Sequence, residues 1–411
     1  MNTQRNLTFT LTLLAAVAAG DAALAQRATI VSPGSPVGTT LGQTNRFDST
    51  FNPAVSLAVD AWGNWGDYGE EGGKGFDAGL RRVDFLVADW IDPNALAWIT
   101  VAYEEEEFGL EEGAIEYVGL PGNWSLRAGR FFVDFGKQMQ AHIEQLRTFD
   151  RPLVLREYLG EELPGDGLQL DNWVGLGEKT LVRYSIGVFG DLAGEGHGHG
   201  EEEGEAEPEV HLPERADAGD LGYTARVTAL TEVGATGTLQ FGGSMRLLSG
   251  FGLEVDGSDA ELDDLSNAVY GLDLTYGWVA EDGMRNFTVG GEYLFFDGDL
   301  GAEYDDNGTP GDGTDDALNV FDSTVSGAYG FVDYGFTQVD SVGVQYSFAQ
   351  EPEEGKADHT ELDLYYTKRL SDFLRIRFGA TFGDVEGGED YTRFGVQLTG
   401  FIGPHGHGLN W

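Results

Sequence analysis

From Ser341 to Phe348 the chain reads SVGVQYSF, with Val342, Val344, Tyr346 and Phe348 alternating against Ser341, Gly343, Gln345 and Ser347. A period of two places the apolar side chains on one face and the small or polar ones on the other, which predicts a β-strand. LRIRFGATF repeats it, with Leu374, Ile376, Phe378, Ala380 and Phe382 opposite Arg375, Arg377, Gly379 and Thr381. About sixteen such segments recur. They begin near Ala54, Gly79, Ala95, Glu112, Trp124, Leu168, Leu181, Gly222, Thr236, Asn267, Asn286, Gly327, Val339, Thr360, Leu374 and Tyr391.

The connections have a parity. After even-numbered segments they are tight: DPN (Asp92 to Asn94), LPGN (Leu120 to Asn123), GLGEKT (Gly175 to Thr180), AEDGMR (Ala280 to Arg285), TQVD (Thr337 to Asp340) and LSDF (Leu370 to Phe373). After most odd-numbered ones they are long, glycine-rich and acidic. Short turns on one side, long loops on the other and both termini on the short-turn side predict an all-β protein: a transmembrane antiparallel β-barrel of about 16 strands with periplasmic termini. Apolar segments of about ten residues match a tilted bilayer crossing, and closure removes the sheet edges that hydrocarbon excludes. Trp90, Trp124, Trp173 and Trp278 stand where strands meet short turns, as an aromatic girdle at the periplasmic interface would.

The ends of the chain divide accordingly. Residues 1–25 carry Arg5, an apolar core from Leu7 to Ala19 and Ala23-Leu24-Ala25 before Gln26, the pattern of a secretory signal peptide. Residues 26–50 form a periplasmic N-terminal segment, 51–402 the barrel and 403–411 a periplasmic tail. No later apolar run reaches helical spanning length. With 24 basic against 70 acidic residues the formal net charge is -46, which excludes nucleic acid as a partner and favours cations near the surface. The absence of cysteine excludes a disulfide framework.

If the apolar face meets outer-membrane lipid, the opposite face lines the lumen. Arg82, Arg127, Arg183, Arg226, Arg246, Arg375, Arg377 and Arg393 then point inward, with Asp84, Asp273, Glu292, Asp333, Glu361 and Asp363. Such charge implies a water-filled channel, because these groups resist burial without close pairing. The signs fall in stripes that would set a transverse field. The third long loop, Phe132 to Gly167, departs from its glycine-rich neighbours: it carries Phe149, Leu153, Val154, Leu155 and Tyr158 with Lys137, His142, Arg147, Arg151 and Arg156. Its apolar content requires a surface to pack on. The inner wall would make it a constriction loop, the outside a lid.

Within that region AGRFFVDFGKQ (Ala128 to Gln138), TFDRPLV (Thr148 to Val154) and GDGLQL (Gly165 to Leu170) resemble bacterial porins related to the phosphate-selective porins O and P. FNPAVSL (Phe51 to Leu57) and GPHGHG (Gly403 to Gly408) resemble porin-like outer-membrane proteins labelled zinc-regulated or TonB-dependent receptors. A TonB-dependent transporter places a plug ahead of a 22-stranded barrel. Here the first strand begins about thirty residues after Ala25, which leaves no room for a plug. The resemblance implies a passive channel and leaves the solute open. The expectation is a porin for small hydrophilic solutes or ions that requires no cofactor and, by analogy with sixteen-stranded porins, forms a homotrimer.

GEGHGHGEEEGEAEPEVH, Gly194 to His211, falls in the fourth long loop. His197, His199 and His211 among glutamates are zinc or nickel ligands by type, although glycines deny them a rigid spacing. His405 and His407 in the tail offer a second weak site. These histidines open the alternative of a zinc-uptake channel, against a plain solvated loop. DDNGTPGDGTDD, Asp305 to Asp316, has the acids for weak calcium binding without the ligand order of an EF-hand. No nucleophile stands in a Gly-x-Ser-x-Gly setting, so no enzyme is predicted. A third class, an adhesive or surface-structural barrel, requires a lumen filled by the loop and the inward side chains.

Overall fold

The computed structural model describes residues 53–68, 73–104, 107–192, 209–211, 218–254, 261–305, 317–350, 358–385, 388 and 390–403. In chain order the strands are β1 (Ala54–Asp67), β2 (Lys74–Asp92), β3 (Ala95–Glu104), β4 (Glu107–Tyr117), β5 (Trp124–Phe132), β6 (Pro164–Leu176), β7 (Thr180–Asp191), β8 (Glu209–His211), β9 (Gly222–Val233) and β10 (Gly237–Glu254). Then follow β11 (Glu261–Val279), β12 (Asn286–Asp305), β13 (Ala317–Gly335), β14 (Asp340–Ala349), β15 (His359–Ser371), β16 (Leu374–Val385) and β17 (Tyr391–Ile402). All lie in one antiparallel sheet that closes where β1 pairs with β17, from Leu57 opposite Ile402 to Asp67 opposite Thr392. β8 has three residues and pairs with the outer end of β10, so the wall consists of the other sixteen strands of the 17-stranded sheet.

Alternation builds the wall. Along β14, Gln345 and Ser347 are fully buried inside while Val342 and Tyr346 face outward. Leu272, Leu274, Phe378 and Leu398 are other members of the exposed apolar surface, which hydrocarbon rather than water must cover.

Several strands begin earlier than alternation predicts, all at their long-loop ends: β2 at Lys74, β4 at Glu107, β11 at Glu261 and β13 at Ala317. β10 to β13 are 18 to 20 residues long. That exceeds a crossing of about ten residues by roughly 30 Å along the strand at ~3.3 Å per residue. Beyond the hydrocarbon both faces of a strand are wet, so backbone pairing continues without an apolar face, and the sequence carries no period-2 signal there.

The barrel interior departs from a simple polar lining. Leu86, Leu96 and Trp98 point inward and join Phe131, Val133, Phe135, Met139, Leu153, Val154, Leu155 and Tyr158 in a buried cluster. The girdle is only partly as expected. Trp124 meets Tyr184 edge-on at 5.4 Å, on the outward parity of β5 and β7. Trp173, in register with Arg183, lies 5.7 Å under its guanidinium, and Trp90 packs on the interior cluster. The turn position was legible, but the face depends on register.

Candidate functional site

Residues 133–163, between β5 and β6, fold into the barrel as an inner strap rather than an external lid. The strap contains a single 3-10 turn, Ile143–Gln145, and a helix, α1 (Leu153–Leu159). Pro152 precedes α1, and Gly160, with φ 83°, ends it. Burial of Phe135, Met139, Leu146, Leu153, Val154 and Leu155 supplies the driving force, at about 1.5–3 kcal/mol for each large side chain.

Polar contacts to many strands fix its path. Asp134 pairs with Arg183 at 2.5 Å and Arg226 at 3.6 Å and accepts from Ser185. The Lys137 and Gln138 N–H groups donate to Glu292 Oε1 at 2.9 and 3.1 Å, where the Tyr329 hydroxyl also donates. Gly136, with φ 54°, brings the backbone so close that a Cβ would lie 2.1 Å from Glu292 Oε2. Arg375 donates to the Glu144 carbonyl, and Arg377 to those of Leu146 and Thr148. Asp150 bridges Arg81, 2.9 Å away, and Arg393. Burial alone would raise the Asp150 carboxyl, but Arg393 and Arg81 outweigh it and hold the group well below the usual carboxylate range. Arg156 reaches Glu361 at 2.7 Å, and the Tyr158 hydroxyl donates to the Gln350 carbonyl.

Inside the strap, Arg151 is buried and donates to the carbonyls of Gln138, Ala141 and Glu161. It holds the loop's shape. Arg147 lies 4.8 Å over the Phe331 ring and 3.9 Å from Asp333. Lys137 Nζ donates to Gln240 at 3.1 Å, and burial pushes this ammonium down to about 8. His142 rests edge-on against Phe132, between Glu111 and Glu112. Burial would lower its imidazole, but Glu112, Glu144 and Asp84 outweigh that and raise it to about 9.

The expected lumen residues can now be placed. Arg82, Arg127, Arg183, Arg226, Arg246, Arg375, Arg377, Arg393, Asp273, Glu292, Glu361 and Asp363 all belong to the inner face, but not as a water-lapped lining. Most are buried in close pairs. Arg82 binds Asp84, Glu104 and Glu111, Arg226 binds Asp273 at 2.7 Å, and Arg246 donates to Asn267. Arg127 lies over the Trp98 and Phe131 rings, 3.9 Å from Glu116. Asp363 accepts from Thr381 and Gln345. Close ion pairing holds Arg82, Arg183, Arg226 and Arg393, whereas Arg246, Arg375 and Arg377 are held by neutral acceptors on the wall and the strap.

Open space remains on one side. A cavity of about 620 Å³ lies toward the short turns, bounded by Lys137, Gln145, Leu146 and Arg147 of the strap and by the wall from Gln240 and Thr275 round to Asp333, Tyr365, Arg375 and Arg377. Lys137, Arg147, Arg369, Arg375 and Arg377 line it against two acids, Asp333 and Asp340. This local basic excess opposes the acidity of the whole chain.

Sequence reasoning missed Arg81, Asp134 and Asp150. Arg81 turns inward beside Arg82 because a bulge interrupts the β1–β2 register between Asp60 and Ala61. Of the metal candidates, His197, His199, His405 and His407 lie outside the described residues, as does most of the Asp305 to Asp316 loop. The backbone of His211 pairs with Gly252.

No protein-family model and no curated protein matches the chain. Solved structures do. An anion-selective porin from Comamonas acidovorans aligns at TM-score 0.53 and 11% identity over 85% of this chain and 99% of that one. A loop-deletion mutant of OmpT, an outer membrane protein of Vibrio cholerae, aligns at TM-score 0.50 and 11% identity, again over 85% and 99%. At that identity the likeness concerns the fold alone: a closed porin-like barrel. The fold and its exposed apolar surface place the chain in a bacterial outer membrane.

Proposed function

We propose that the chain is a passive outer-membrane channel for small hydrophilic solutes or ions, related to the phosphate-selective porins O and P, with the inner strap as its constriction. The observation that carries this reading is the strap itself: pinned to strands around the wall, it crosses the interior and leaves, toward the short turns, a cavity that charged side chains reach. A surface-structural barrel has no need of such a cavity. Transport is diffusion down a gradient, selected by width and by the field of the lining groups. The basic excess around the cavity favours anions, the sign named for the Comamonas porin. Three copies of the chain would form the working assembly.

Reversal potentials in a planar bilayer under a salt gradient, with and without micromolar zinc, test the reading. Anion-selective steps that zinc leaves unchanged are expected. Cation-selective steps blocked by zinc, with the block lost on deleting residues 194–211, would favour a zinc-uptake channel. Absence of conductance from protein of folded mobility would sink the channel and favour the structural barrel.

A further inference from the structure

The inner faces of β2 and β4 present Asp84, Glu111 and Glu112, and the strap lays His142 and Glu144 against them. All five side chains are buried. Ligating atoms of Asp84, His142 and Glu144 lie within 4.8 Å of one another. Around them, Glu111 Oε2 lies 3.2 Å from His142 Nδ1, and Glu112 Oε2 3.5 Å from Nε2.

The charge balance of this pocket is an independent observation. Glu111 is 9% exposed, and its Oε2 is buried, faces the imidazole and makes no hydrogen bond. Its other neighbour, Arg82, is already shared among Asp84, Glu104, Glu111 and Glu162. Arg375 and Arg151 also act on Glu144, while Arg151 is shared with Glu161 and Glu162. Burying four carboxylates around one imidazole is costly even so, and a bound cation offsets that cost. One imidazole among carboxylates is a nitrogen–oxygen donor set that suits zinc better than calcium or magnesium, which take oxygen alone. Ligand bonds of ~2.0–2.2 Å require the three groups to draw closer together than the 4.8 Å within which they stand. A second carboxylate on the remaining ring nitrogen would orient the ligand.

We propose that Asp84, His142 and Glu144, completed by a glutamate of β4, bind a divalent transition-metal ion of the zinc type and clasp the strap to β2 and β4. The site does not rest on the channel reading, since a closed barrel would hold the same ion.

The test uses full-length protein in detergent with His197, His199, His211, His405 and His407 replaced by alanine, stripped with chelator and titrated with Zn²⁺ by calorimetry. One ion per chain is expected, with affinity lowered at least tenfold by His142→Gln and by Glu144→Gln. Cobalt should give the visible ligand-field bands of a nitrogen–oxygen site, which both variants alter. Folded mobility on gels confirms each barrel, and should His142→Gln fail to fold, Glu144→Gln and the cobalt spectrum of the parent decide. No bound zinc, or binding that both variants leave unchanged, would overturn the proposal and leave an imidazolium among carboxylates.

Discussion

Gly136→Ala should release the inner strap without harming the barrel. The new Cβ would stand 2.1 Å from Glu292 Oε2, about an ångström inside contact distance. Glu292 cannot swing away cheaply, because its carboxylate receives Lys137 N, Gln138 N and the Tyr329 hydroxyl. An L-residue at a φ of 54° adds ~1–2 kcal/mol. Each hydrogen bond to a charged acceptor contributes ~1.5–3 kcal/mol, so loss of one or both of the two from the strap backbone, Lys137 N and Gln138 N, with the backbone strain totals roughly 3–8 kcal/mol. Even the lower bound raises the population of the undocked strap about a hundredfold. Hydrogen exchange followed by mass spectrometry reads this as faster exchange across residues 133–163, with the strand peptides unchanged. Gly175→Ala is the control, since its added Cβ meets nothing within 4 Å. Strap exchange within about threefold of the parent protein would refute the claim that this close approach anchors the strap.

Asp150→Asn leaves Arg81 and Arg393 facing an uncharged amide and should cost ~3–5 kcal/mol of strap docking, measured as trypsin cleavage at Arg147, Arg151 and Arg156. Lys137, lowered by burial to about 8, is charged below that pH and neutral above it. Reversal potentials should therefore shift toward cations between pH 7 and 9, and Lys137→Met should abolish the step. In single-tryptophan variants, brominated lipid should quench Trp124 and spare Trp173, which faces inward over its pairing with Arg183.

The barrel was legible because hydrocarbon on one face and polar groups on the other impose a period of two at every crossing, so Ala54, Ala95, Trp124, Gly222, Asn286, Leu374 and Tyr391 all begin strands as expected. Inward parity also placed Arg375, Arg377, Arg393 and Glu292 on the correct face. Their partners were less legible. Arg81 depends on a bulge, and Asp134 and Asp150 in the loop acquire meaning only when the chain folds back on strands far away in sequence.

The sequence by itself determined the membrane-crossing part of each strand, the alternation of short turns with long loops, and the loop that must find an apolar surface, because each is encoded in local composition and spacing. Tertiary structure alone decided that this surface is the inner wall, that wall arginines become pins for Asp134 and Asp150, that Trp90 and Trp173 turn inward, and that the open volume lies beside Lys137 and Arg147. Pairing of buried charges is a relation between distant residues. Only closure of the barrel brings them within hydrogen-bond reach.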